Sequence, residues 1–322
     1  MRWRRSARHG AGIEDRRGAG GGRRSFPGGV RGGLGGLGGL GIVGVVVVLL
    51  ITLLGGGGGG GFDIGPSLDP FPQAPAATGP GIDESVGTDA DLADFVAFVV
   101  DDVQEWWTRA FADAGRDYEP TRLVLFRRGV RTGCGVASSA VGPFYCPADR
   151  RVYLDLSFFR ELRERFGAPG DFAQAYVIAH EFGHHVQNLL GIMGEVSAAQ
   201  RESPDQANEL SVRLELQADC LAGVWAHSAY EDDQLEEGDL EEGIAAAAAV
   251  GDDRLQGRSG AGVRPDSFTH GTSAQREEWF LRGFRGGEVA SCDTFSGDVE
   301  AVEEIRAGRG PGAAPAPGRA RG

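Results

Sequence analysis

Over residues 91–114 the apolar positions Leu92, Phe95, Val96, Val99, Val100, Val103, Trp106 and Trp107 recur three or four apart, the spacing that lines one face of an α-helix. Gly115 and then Pro120 should stop it. Over 121–154 the rhythm changes to short β-rich runs, Leu123-Val124-Leu125-Phe126, Pro143-Phe144-Tyr145 and Arg151-Val152-Tyr153-Leu154. Gly133, Gly135 and Gly142 punctuate them, and a small antiparallel sheet is predicted. Helices dominate again from Ser157. One should start at Asp171, with Gln174 three residues on as a capping box, and run to Leu190 before Gly191. Another should start at Ser203, with Pro204 in its first position and Gln206 in its third, and pass through Glu215 to about His227. A loop is expected between these two. Further helices are predicted near 240–250 and 274–284. The pattern is that of an α+β domain, mainly helical, over 86–306.

The two ends read differently. Residues 1–33 are rich in Arg and Gly, with nine arginines before Gly32 against Glu14 and Asp15, so a disordered arm is expected there. Residues 34–54 carry no charge and include the aliphatic run Ile42 to Leu54, enough for a transmembrane helix of about 20 residues. A Gly/Pro-rich linker over 55–85 and a disordered tail over 307–322 complete the organisation. The arginines before the apolar segment place the N-terminus in the cytoplasm and the domain outside the cell membrane, as a single-pass protein. A cleaved signal peptide is the competing reading. The first Ala-x-Ala, Ala74-Pro75-Ala76, falls far beyond Leu54 for it.

Charge and cysteine content narrow the picture. A formal −14 for the chain and +7 for residues 1–31 leave −21 for the remainder, a balance that argues against nucleic acid as a partner. All four cysteines, Cys134, Cys146, Cys220 and Cys292, follow the apolar segment. An even number suits two disulfides in an oxidising compartment, with three pairings possible.

The candidate chemistry lies in His180-Glu181-Phe182-Gly183-His184. Residues four apart share a helix face, so His180 and His184 can offer two imidazole nitrogens to one Zn²⁺ while Glu181 takes a proton from an activated water. A catalytic zinc needs a third protein ligand and an open position. Glu215 and Asp219, again four apart on one predicted helix, supply a candidate ligand and a carboxylate to hold a ligating imidazole. Two core histidines and two solvated acids are the plain alternative, which the buried-looking neighbours Tyr176 to Ala179 and Leu214 to Ala222 argue against. His185 turns to another face, and His227 looks like an ordinary helix residue. His270 precedes a predicted helix, where it could stabilise a transition state or act as a cap.

These segments resemble the bacterial neutral zinc metallopeptidase family: Ala179 to Gln187, Glu215 to Gly223, Gly142 to Pro147, Val152 to Asp155, His270 to Arg276, and Cys292 to Phe295. The resemblance, which spans about 86–296, implies a zincin-like, gluzincin-like fold and a membrane-anchored metalloendopeptidase acting on a peptide or protein substrate. His180, His184 and Glu215 would hold the zinc, Glu181 would be the general base, Asp219 would support a ligand, and His270 or Tyr145 would stabilise the oxyanion. Pairing of Cys134 with Cys146 and of Cys220 with Cys292 is favoured. Two other functions stay open: a zinc-bearing envelope domain without turnover, and a hydrolase of non-peptide amides.

Overall fold

The computed structural model describes residues 1–3, 12–18, 89–259 and 263–296. Within them the strands are β1 (Ile13–Asp15), β2 (Arg122–Phe126), β3 (Gly129–Thr132), β4 (Gly135–Ser138), β5 (Phe144–Cys146) and β6 (Arg151–Asp155). The apolar stripe of the first helix is realised in α1 (Asp89–Asp113), which buries Phe95, Val96, Val99, Val100, Val103 and Trp107. After the strands come α2 (Ser157–Glu164), α3 (Asp171–Leu189), α4 (Ile192–Glu202), α5 (Ala207–Glu231), α6 (Asp239–Ala249), α7 (Asp252–Ser259) and α8 (Ser273–Gly286). The domain is mainly helical with a small sheet, as the pattern predicts.

The sheet departs from the expected antiparallel form. Its order is β1-β2-β6-β5, with β1, β2 and β6 parallel and only β5 antiparallel. β3 and β4 form a separate antiparallel hairpin. The reason is visible in the runs themselves: β2 and β6 bury four consecutive residues each rather than alternate ones, the mark of strands covered on both faces.

A second correction concerns the arm expected over 1–33. Ile13, Glu14 and Asp15 pair with Leu123, Val124 and Leu125, and the Met1 ammonium lies 2.9 Å from Asp171 and 3.1 Å from Asp239. Trp3 meets Phe95 edge to face at 5.5 Å. Residues 1–3 and 12–18 therefore belong to the folded body. Their composition cannot build a core, but a strand added to an existing sheet edge needs only backbone partners and one or two apolar contacts. The apolar segment 34–54, the linker 55–85 and the tail 307–322 lie outside the described residues. Among the described residues no helix is long and apolar enough to cross a membrane.

Helix α3 runs through the centre, buried from Phe172 to Gln187 save for Gln174, and packs against α5, α6 and the sheet. It starts differently from the predicted capping box. Gly170 is the N-cap, Glu242 of α6 accepts from the Phe172 N–H at 3.2 Å, and Asp171 faces Met1 instead. Gly191, in the left-handed region at φ 84°, ends α3. The segment read as a loop is helix α4, and Pro204–Gln206 is a separate 3-10 turn ahead of α5. Helices α5 and α8 meet through glycines. A Cβ on Gly223 would lie 2.0 Å from the Phe280 carbonyl, and one on Gly283 1.9 Å from that of Cys220.

Candidate metal centre

His180 and His184 stand one turn apart on α3 with ring centroids 4.8 Å apart, and α5 brings Glu215 opposite them. Glu215 Oε2 is 3.2 Å from His180 Nε2, and Oε1 is 3.5 Å from His184 Nε2. One atom from each of the three residues lies within 4.8 Å of the other two. Two imidazole nitrogens and one carboxylate oxygen form the donor set of a catalytic zinc, and both Nδ1 atoms are engaged elsewhere, which leaves the Nε2 atoms to face the ion. The residues present thus fit the metal.

The electrostatics agree. Burial alone would raise the Glu215 pKa, but the nearby His184 and His180 hold it well below the carboxylate range. Burial works against a charged His180, yet the charge and hydrogen bond of Asp219 outweigh it, and the imidazole is pushed up to about 9. A metal entering the site must displace that proton, so occupancy will depend on pH.

Asp219, completely buried, holds His180 from behind: its Oδ1 is 2.8 Å from His180 Nδ1. Its own charge is met by Arg276 of α8, whose Nε donates to Oδ2 at 2.8 Å and Nη2 to Oδ1 at 2.9 Å. Tyr176 adds a hydroxyl to the same Oδ1. Arg276 is 3% exposed, and the sequence alone assigns it no role. The available signal is a cation one turn into a helix, three and four residues ahead of Trp279 and Phe280 on its buried face.

Glu181 follows His180 directly and is buried, which raises its pKa against the pull of His184 and His180. His270 lies near enough for the charge of Glu215 to act on it. Burial lowers its pKa, and the hydrogen bond to Asp252 with the charges of Glu215 and Asp252 raises it overall. Asp252 also receives the backbone N–H groups of Thr269 and His270. Tyr145 is occupied elsewhere: its hydroxyl is 3.0 Å from His185 Nδ1 and accepts from Asn188, while His185 Nε2 faces the Glu119 carbonyl at 2.7 Å. Of the two candidate oxyanion donors, His270 is the one whose charge is coupled to Glu215. Both favoured disulfides are present, Cys134–Cys146 and Cys220–Cys292. A second convergence of acids, Asp171, Asp239 and Glu242, already has its cation and donor in the Met1 ammonium and the Phe172 N–H.

The chain belongs to the family described as "Putative neutral zinc metallopeptidase", which it matches over residues 1–295. That match includes the N-terminal residues that join the sheet. Among its relatives is the uncharacterized protein YpfJ of Escherichia coli K12, 52% identical over 210 residues that make up 65% of this chain and 73% of that protein. The uncharacterized proteins Mb2605 of Mycobacterium bovis and Rv2575 of Mycobacterium tuberculosis are each 48% identical over 190 residues, 56% of this chain and 64% of theirs. No solved structure matches the chain.

Proposed function

We propose that this chain is a zincin-like, zinc-dependent peptidase that hydrolyses peptide bonds in a peptide or protein substrate. The observation that carries the reading is the convergence of His180 Nε2, His184 Nε2 and a Glu215 oxygen beside Glu181. Bound there, zinc supplies Lewis acidity toward a carbonyl and lowers the pKa of water. Asp219 keeps the His180 proton on Nδ1. Glu181, raised by burial, accepts a proton from the attacking water and returns it to the leaving amine. His270, drawn toward its cationic form, donates to the oxygen that gains charge. The apolar segment 34–54 supports attachment to a cell membrane, and two disulfides support a domain facing an oxidising compartment.

The test is a pair of variants. Glu181→Gln should keep zinc and lose hydrolysis of an unstructured protein, whereas His180→Ala should lose both. Unchanged turnover in Glu181→Gln would remove the general-base role. Retained zinc with no turnover by the unaltered chain against a broad peptide library would favour a metal-bearing binding domain.

A further inference from the structure

The two imidazoles are held by different chemistry. His180 Nδ1 faces a carboxylate, but His184 Nδ1 faces a neutral amide, Gln187 Oε1, at 2.8 Å. Gln187 lies one turn further along α3 and is completely buried. Its Nε2 donates to the Leu214 carbonyl at 2.7 Å and to Gln217 Oε1 at 3.0 Å, both on α5. Gln217 Nε2 in turn donates to the Cys292 carbonyl at 3.0 Å, on the residue that the disulfide ties to Cys220 of α5.

The polarity of this chain of amides has one solution. Backbone carbonyls only accept. The Cys292 carbonyl therefore takes the nitrogen of Gln217, which turns its oxygen to Gln187. The Leu214 carbonyl and that oxygen both take the nitrogen of Gln187, which turns its own oxygen to His184. His184 Nδ1 must then be the donor, which leaves Nε2 as the nitrogen turned to Glu215.

We propose that Gln187 is the positioning residue of His184, and that the Gln187–Gln217 relay sets the Nδ1–H tautomer before any metal arrives. The proposal rests on the zinc-site reading for its purpose, but the tautomer can be read without metal. Nitrogen NMR of the metal-free full chain, followed up the pH scale until one His184 nitrogen is unprotonated, should show the remaining proton on Nδ1. In zinc competition against a fluorescent chelator, Gln187→Leu should bind about 10- to 100-fold more weakly than the unaltered chain. An Nε2–H tautomer in the metal-free chain would overturn the relay, as would a Gln187→Leu affinity within about twofold of the original. An unaltered chain that shows the Nδ1–H tautomer yet binds no zinc would instead overturn the zinc site.

A second inference stands on the sheet alone. β1 precedes the apolar segment 34–54 and β2 follows it, yet the two are adjacent strands, which cannot lie on opposite sides of a hydrocarbon layer about 30 Å thick. The arginines that argue for a cytoplasmic arm are partly used within the fold: Arg16 pairs with Glu14, and Arg17 pairs with Asp15 and donates to the Asp89 carbonyl. We infer that residues 1–3 and 12–18 lie on the same side of the membrane as the domain. Gly18→Cys, where a side chain meets open space, and Val136→Cys, at a residue 67% exposed, test this in the full chain in cells. A membrane-impermeant maleimide should label both in intact cells, or both only after lysis. Labelling of one in intact cells and of the other only after lysis would overturn the inference.

Discussion

Gly183 rests directly on the backbone of Ala218. A Cβ at Gly183 would lie 3.0 Å from the Ala218 carbonyl oxygen and 3.2 Å from its Cα, so the absence of a side chain in the middle of the motif lets α3 and α5 close together where His184 meets Glu215. Gly183→Ala should part the two helices slightly. The expected cost is about 1–3 kcal/mol of stability, with a weaker zinc affinity, measured by thermal unfolding and by competition with a chelator. A variant equal to the original in both would show that this contact does not set the ligand distance.

Arg276 and Asp219 should behave unequally when each is removed. Arg276→Leu leaves the buried Asp219 without its cation and should cost about 3–5 kcal/mol. Asp219→Asn keeps the shape while weakening the hold on His180, and should lower zinc affinity by about 10- to 100-fold. Denaturant unfolding and zinc competition separate the two effects. Equal stability losses with no change in metal binding would contradict the assignment.

The two disulfides close loops of different length, with sequence separations of 12 for Cys134–Cys146 and 72 for Cys220–Cys292. Loop-closure entropy gives about 3 kcal/mol for the first and about 4 kcal/mol for the second. Replacing both cysteines of a pair by serine should therefore destabilise the chain more for Cys220–Cys292. Only that loss should also weaken zinc binding, because the Cys292 carbonyl accepts from the Gln217 side-chain amide. Zinc affinity unaffected in the Cys220/Cys292 double variant would separate the disulfide from the site.

Asp252 and His270 should make stability depend on pH. Burial raises Asp252, but the hydrogen bond and charge of His270 and two backbone N–H groups lower it overall, while His270 is raised. A lowered carboxylate stabilises above its unfolded pKa and loses that contribution as pH falls through its folded value. A raised imidazole stabilises below its unfolded pKa and loses that contribution as pH climbs through its folded value. Both contributions are complete between about pH 4 and 6.5. The destabilisation caused by Asp252→Asn, measured by denaturant unfolding of chelator-treated protein, should be largest in that window and smaller toward about pH 9. A pH-independent difference would leave only the backbone bonds of Thr269 and His270 to account for it.

Much of the site is legible in the chain. His180 and His184 share a face in any helix, and Glu215 and Asp219 repeat that spacing on a second one. What escaped were the residues that act across elements. Gln187 and Gln217 look like ordinary helical glutamines, and Arg276 like a surface cation, until α3, α5 and α8 are assembled. The sheet over 121–154 is mostly parallel rather than antiparallel because short β-rich runs such as Leu123 to Phe126 do not specify which strand each one pairs with. Asp171 reads as a cap because an acid beside a helix start usually is one, while the Phe172 N–H is met by Glu242, 70 residues away.

By itself the sequence determined the helical class of the domain and the paired imidazoles with Glu181 beside them, since these follow from periodicities of about 3.6 residues that hold whatever the helix packs against. Only the tertiary structure decided that Glu215 reaches both histidines, that Asp219 and Gln187 set their protons, and that Ile13 to Asp15 extend the sheet. Those contacts join segments far apart in the chain. They form through collective packing and through backbone groups that every residue carries, so they leave no local pattern to read.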